Sequence, residues 1–302
     1  MVRFLESLLQ KLLHHAGLSS QYLQLDQGRQ HRYHITGSGR LPPILLFHGI
    51  GASASSYANL MLRLAKHSRQ VQAIDLPGHG LSDPLRSGSG YEAVFETACT
   101  AAFAALDEPA IVFGNSLGGA CAVEFSRRYP ERVAGLVLCS PAGAPIDAAL
   151  IDGFLSRFAF ADLAAANRFL RSIYANPPWY TPLLSFVVKK IFASTTIRGI
   201  LSGLRPNQGL SPDMLTQMRI PVELIWGRAD KLMLPQHRDF YLHHLPVHAS
   251  IKQPEHFGHC PFLEHPGEVS QMIVEFTQKI DANHATSATT GGTHHPTVSI
   301  RA

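Results

Sequence analysis

The chain has 302 residues, 45% of them hydrophobic and 16% charged, with a net charge of +4. That length and balance suit one large domain, or a domain with an insert, built on a sizeable core, and they exclude disorder over most of the chain. The basic residues are scattered, which excludes the stripe expected of a nucleic-acid partner; the four cysteines form no C-x-x-C pair and the seventeen histidines no H-E-x-x-H, so neither a metal nor a cofactor is expected.

Residues 1–20 open the chain with Phe4, Leu5, Leu8, Leu9, Leu12 and Leu13 at helical spacing, interrupted by Glu6, Gln10 and Lys11. This reads as an amphipathic helix and not a signal peptide, since no small-residue cleavage site follows promptly. It is expected to pack on the domain's own surface, with a membrane or lipid surface as the alternative. Sparse thiols fit a reducing, cytoplasmic compartment, and no apolar run is long enough to cross a bilayer as a helix.

Two short strands are expected at 22–26 and 29–36, joined at Asp26-Gln27-Gly28. Apolar runs at 43–47, 71–75, 110–114, 134–139, 221–226 and 248–252 alternate with helical patterns near 56–66, 91–106, 117–129, 235–244 and 267–280. The alternation predicts an α/β fold, a mostly parallel central sheet with helices on both faces. Two core parts, 21–143 and 213–281, flank residues 144–212, where the rhythm fails. That stretch is helical, rich in aromatic residues from Phe154 to Phe192 and broken by Pro177-Pro178 and Pro182, and it reads as an inserted helical cap. The tail 282–302, rich in Thr, Ser, Ala and Gly, is expected to be disordered.

Gly114-Asn115-Ser116-Leu117-Gly118 is a G-x-S-x-G sequence between an apolar strand and a helix-compatible stretch. A serine on so sharp a turn is crowded on both sides, and glycine at 114 and 118 leaves the room. A nucleophilic serine needs a base, and the base a carboxylate that orients it. Asp230 follows a predicted strand, where sheet enzymes place their sites. The loop after the last strand offers two histidines, His256 and His259. For the oxyanion, Leu117 N–H stands at the start of the helix after the serine, and a second donor is expected from His48-Gly49-Ile50-Gly51, with Ile50 preferred and Gly51 its neighbour. His48 is expected to brace that loop through hydrogen bonds.

These segments together resemble the α/β-hydrolase family over most of 21–143 and 213–280. H-G-x-G stands at 48–51, D-x-P-G-x-G-x-S at 75–82, the nucleophile elbow at 114–118, G-x-x-D at 227–230, and G-H-x-P at 258–261 with Glu264 and Pro266. The resemblance implies a Ser116–Asp230–His259 triad, prefers His259 over His256, and gives Asp75 a loop-shaping role. Cys260 departs from the common small residue and reads as a packed thiol.

The expected activity is hydrolysis of a carboxylic ester through an acyl-enzyme. The apolar insert points to a moderately hydrophobic acyl or alkyl group, monoacyl lipids among the candidates, unless those side chains merely form its own core. Lys189, Lys190 and Arg198 read as a solvated helix face, with an anionic lipid surface as the alternative. Two rivals stand beside this reading: a carbon–carbon bond hydrolase acting on ring-cleavage products, and a non-catalytic binding protein on the same fold.

Overall fold

The computed structural model describes residues 2–86 and 92–290, with side chains placed within 4–282 of that range. The chain opens with helix α1 (Val2–His15), hairpin strands β1 (Ser19–Leu25) and β2 (Gly28–Thr36), and β3 (Ile44–Phe47). Then come α2 (Ala58–Leu64), β4 (Gln70–Ile74), α3 (Glu92–Ala105), β5 (Ala110–Asn115), α4 (Leu117–Arg128) and β6 (Val133–Cys139). Four helices follow without a strand: α5 (Ala148–Ser156), α6 (Leu163–Ile173), α7 (Thr181–Phe192) and α8 (Thr195–Gly203). The chain closes with α9 (Pro212–Thr216), β7 (Val222–Ile225), α10 (Pro235–His244), β8 (Ser250–Lys252), α11 (Pro261–Glu264) and α12 (Pro266–Thr290).

The strands form one eight-stranded sheet in the order β1-β2-β4-β3-β5-β6-β7-β8. β2 runs antiparallel to β1 and β4, and the others pair in parallel. Period-two alternation divides the core. Leu45, Phe47, Val112, Leu136 and Leu138 join α3 and α4 through Val94, Ala102, Val123 and Phe125. Ile44, Leu46, Ile111, Phe113 and Val137 join α2 and α12 through Leu60, Met61, Val269, Ile273 and Phe276. A sheet buried on both faces explains why its central strands read as continuous apolar runs; each large side chain so buried contributes on the order of 2 kcal/mol.

Two regions differ from the sequence reading. The last helix runs through Thr290, ten residues past its expected end, into the segment expected to be disordered. Residues 281–290 contain neither glycine nor proline, so nothing in the sequence stops the helix before Gly291-Gly292. Residues 291–302, the rest of that expected tail, lie outside the described residues.

The second difference is the rotation of α1. Leu13 is buried and Leu9 packs beside it, but Glu6 also turns inward, where its carboxylate accepts bonds from Ser53 Oγ at 3.0 Å and Ser55 Oγ at 3.4 Å. Phe4, Leu5, Leu8 and Leu12 are left facing outward. The helix is amphipathic, but only half of its apolar arc is covered by the domain.

Candidate active site

The carboxyl ends of the parallel strands β3, β5, β7 and β8 lead into the segments that carry the residues singled out for chemistry. β5 runs directly into Ser116, whose backbone sits at φ 54° and ψ −123° before α4 begins. A side chain rarely holds that conformation without surrounding packing to enforce it. The packing is tight: a Cβ added to Gly114 would lie 2.3 Å from the Gly118 carbonyl oxygen, and one added to Gly118 would lie 2.1 Å from that of Phe47.

The acid loop after β7 and the histidine loop after β8 are packed backbone to backbone. Ala229 N donates to Phe257 O at 3.0 Å, and a Cβ on Gly227 would lie 2.1 Å from that oxygen. Asp230 Oδ2 therefore stands 2.8 Å from His259 Nδ1. Its Oδ1 accepts from Leu232 N at 2.8 Å and Met233 N at 3.1 Å. Burial alone would raise the Asp230 carboxyl, but His259 and these two N–H donors outweigh it and hold it below its ordinary value. The carboxylate is thus charged and fixed in orientation.

The histidine loop is also fastened to the serine turn. Asn115 Nδ2, one residue before Ser116, donates to His259 O at 2.9 Å and to Cys139 O at 3.0 Å. His256 points elsewhere: its Nε2 pairs with Glu268 at 2.9 Å on the surface. With His265 these two bring ligand atoms within 4.8 Å of one another, a surface cluster apart from Asp230. Burial pushes the Cys260 thiol well above its ordinary value, which suits a packed, unreactive residue.

The loop after β3 closes the site from the other side. A Cβ on Gly49 would lie 3.1 Å from Ser116 Cβ, and Gly51, at φ +74°, lies against the Phe192 ring. Ile50 and Leu117 border the same cavity as Ser116. Leu117 is the first residue of α4, so its N–H has no acceptor within the helix. His48 is fully buried; its Nε2 accepts from Leu76 N at 3.0 Å while Nδ1 lies 2.8 Å from Gly49 O. It braces the loop as a neutral ring, and burial lowers its pKa accordingly.

Asp75 is buried away from the serine. It accepts from Ala54 N at 2.6 Å and Leu81 N at 3.0 Å and meets His31 Nδ1 at 2.8 Å, tying two loops together. The loop-shaping role is what these bonds describe.

One residue that borders this site carries no motif in the sequence. His237, on α10, borders the cavity with Ser116 and packs 5.2 Å from the Phe154 ring. Burial pushes its pKa down to about 4. The folded chain therefore keeps this ring neutral between about pH 4 and 6.5, while the unfolded chain takes up a proton there. The stability it contributes is complete above pH 6.5 and is lost as the pH falls through that window, by about 3 kcal/mol for a shift of this size. Thermal melts over that range should show a steeper acid decline for the wild type than for His237→Phe; equal slopes would refute the assignment.

The family model for the alpha/beta hydrolase fold matches residues 42–266. The chain is an α/β-hydrolase. A pimeloyl-[acyl-carrier protein] methyl ester esterase of Aromatoleum aromaticum is 29% identical over 263 residues, covering 77% of this α/β-hydrolase and 96% of the relative. Among solved structures, a bacterial membrane phospholipase A superposes with a TM-score of 0.78 at 25% identity, covering 92% of each chain. A 2-hydroxy-6-oxo-6-phenylhexa-2,4-dienoate hydrolase from Rhodococcus sp. strain RHA1 superposes at 0.75 with 20% identity, covering 86% of this hydrolase and 99% of that chain, a likeness of fold alone.

Proposed function

We propose that this hydrolase cleaves carboxylic esters with a moderately hydrophobic acyl or alkyl group, with Ser116 as nucleophile. The observation that carries the reading is the 2.8 Å Asp230–His259 pair, on a loop bonded to the residue before Ser116. His259 takes the serine proton as Ser116 attacks the ester carbonyl, and the N–H groups of Ile50 and Leu117 receive the oxyanion. His259 then protonates the leaving alcohol, and water attacks the acyl-enzyme by the reverse path. Asp230 holds the ring in the required tautomer and stabilises its charged form.

The substrate side is read from the cavity, about 610 Å³ in volume, bordered by Phe154, Phe158, Ile200 and Leu204 from the inserted segment. That insert serves as a cap whose inner aromatic residues meet the cavity. The volume admits a medium acyl chain and the apolar walls favour one. The ester-cleaving names of relatives such as the methyl ester esterase support the same class.

A p-nitrophenyl ester series tests the proposal. Turnover should rise from acetyl to a medium-length acyl group, a ring-cleavage dienoate should be released far more slowly, and a fluorophosphonate probe should label the wild type but not Ser116→Ala. Faster cleavage of the dienoate would move the assignment to carbon–carbon hydrolysis, and an unlabelled wild type would move it to a binding protein.

A further inference from the structure

Two helices expose apolar faces that the fold does not use. On α1, Phe4, Leu8 and Leu12 recur at four-residue steps, with Phe4 71% and Leu12 61% exposed. On and beside α7, Trp179 is 85% and Leu183 70% exposed, and Phe186 joins them. The two helices are in contact, so the exposed faces belong to neighbouring elements. Each helix is held in this rotation from below: α1 by Glu6 bonded to Ser53 and Ser55, and α7 by the buried Thr181, Ser185 and Phe192. An amphipathic helix that turns a carboxylate inward and leucines outward is oriented for something outside the domain.

The charges identify the occupant. α7 contains no acidic residue and α1 only Glu6, which faces inward. Lys11 and Lys190 are exposed, with the Lys190 ammonium 4.7 Å from the Phe186 ring centre. Leucine and phenylalanine bordered by lysine, with Trp179 and Tyr180 where α7 begins, is the composition that settles into the headgroup region of a bilayer. A second copy docked through the same face would set two lysine-bearing helix pairs of like charge against each other. We propose that the joint face of α1 and α7 docks this hydrolase on a membrane surface bearing anionic lipid headgroups, without crossing it. No helix among the described residues is long and apolar enough to cross a membrane. Phe192, on the inner side of α7, rests against Gly51, so the docked face lies directly behind one wall of the candidate site.

Vesicle flotation of the full chain tests this, with phosphatidylcholine alone or with roughly one-third phosphatidylglycerol. The wild type should float with the anionic vesicles and far less with the neutral ones. Leu8→Glu/Leu183→Glu should lower the bound fraction roughly tenfold or more, with thermal melting and short-chain ester turnover unchanged. Lys11→Gln/Lys190→Gln, which removes the two charges and leaves every leucine, phenylalanine and tryptophan of the face in place, should weaken binding to the anionic vesicles several-fold. Failure of the wild type to float, equal flotation on both vesicle types, or full flotation of the Glu variant would overturn the proposal. A dimer in light scattering that the Glu substitutions split, with vesicles ignored, would overturn it in favour of a second copy.

Discussion

Replacing Ser116 by alanine should lower ester turnover by about a million-fold while leaving the melting temperature close to that of the wild type. The hydroxyl is a small group at the edge of the cavity, and the strained turn that presents it is enforced by Gly114, Gly118 and Phe47, which the substitution does not touch. Asp230→Asn should cost roughly ten-thousand-fold, because the amide keeps the shape but favours the wrong imidazole tautomer. The decisive measurement is the double variant. If the three residues act as a unit, Ser116→Ala/Asp230→Asn should be no slower than Ser116→Ala alone. Multiplicative losses would mean that Asp230 acts independently of the serine, and the proposed mechanism would fall.

The second large effect is structural. Gly118→Ala should unfold the chain or destabilise it by roughly 3 kcal/mol or more. The added methyl would lie 2.1 Å from the Phe47 carbonyl oxygen and 2.6 Å from that of His48, both rigid backbone at the end of β3. Relief requires α4 to retreat from the sheet, which separates Leu117 from the Ile50 loop, so residual folded protein should also have lost activity. Gly153→Ala is the matched control: it lies within α5, where the added methyl meets nothing within 4 Å beyond its chain neighbours and the helix's own backbone, and it should stabilise by about 0.5–1 kcal/mol. Similar melting temperatures for the two variants would show that the elbow tolerates a spread the contacts deny.

The core and the elbow were legible because local chemistry dictates them. Apolar runs such as Ile44–Phe47 have one environment available, and a serine flanked by glycines between strand and helix has few uses. Three features were not legible, for separate reasons. The rotation of α1 depends on Ser53 and Ser55, far along the chain from Glu6, and periodicity measures the width of an apolar arc without saying which half is covered. His237 sits in an ordinary helical pattern, and only the tertiary fold brings it to the cavity. Composition does not separate a pocket lining from an internal core among the aromatic residues of the insert, and the fold divides them. Phe154 and Phe158 border the cavity, Phe169 and Phe192 pack beside them, and Trp179 and Phe186 face outward.

Glu264 gives the inserted helices a further property. Its carboxylate accepts from Ala175 N at 2.9 Å and Asn176 N at 2.8 Å, and Cys260 N donates to Ile173 O at 3.0 Å. The end of α6 is thereby stitched to the stretch of chain that carries His259. The insert is continuous with the core at two covalent junctions, but it is also fastened here by hydrogen bonds, so it is not a free module. Grafting a foreign segment between β6 and β7 to change specificity would sever that seam and loosen the imidazole, unless the graft also supplied two backbone amides for Glu264.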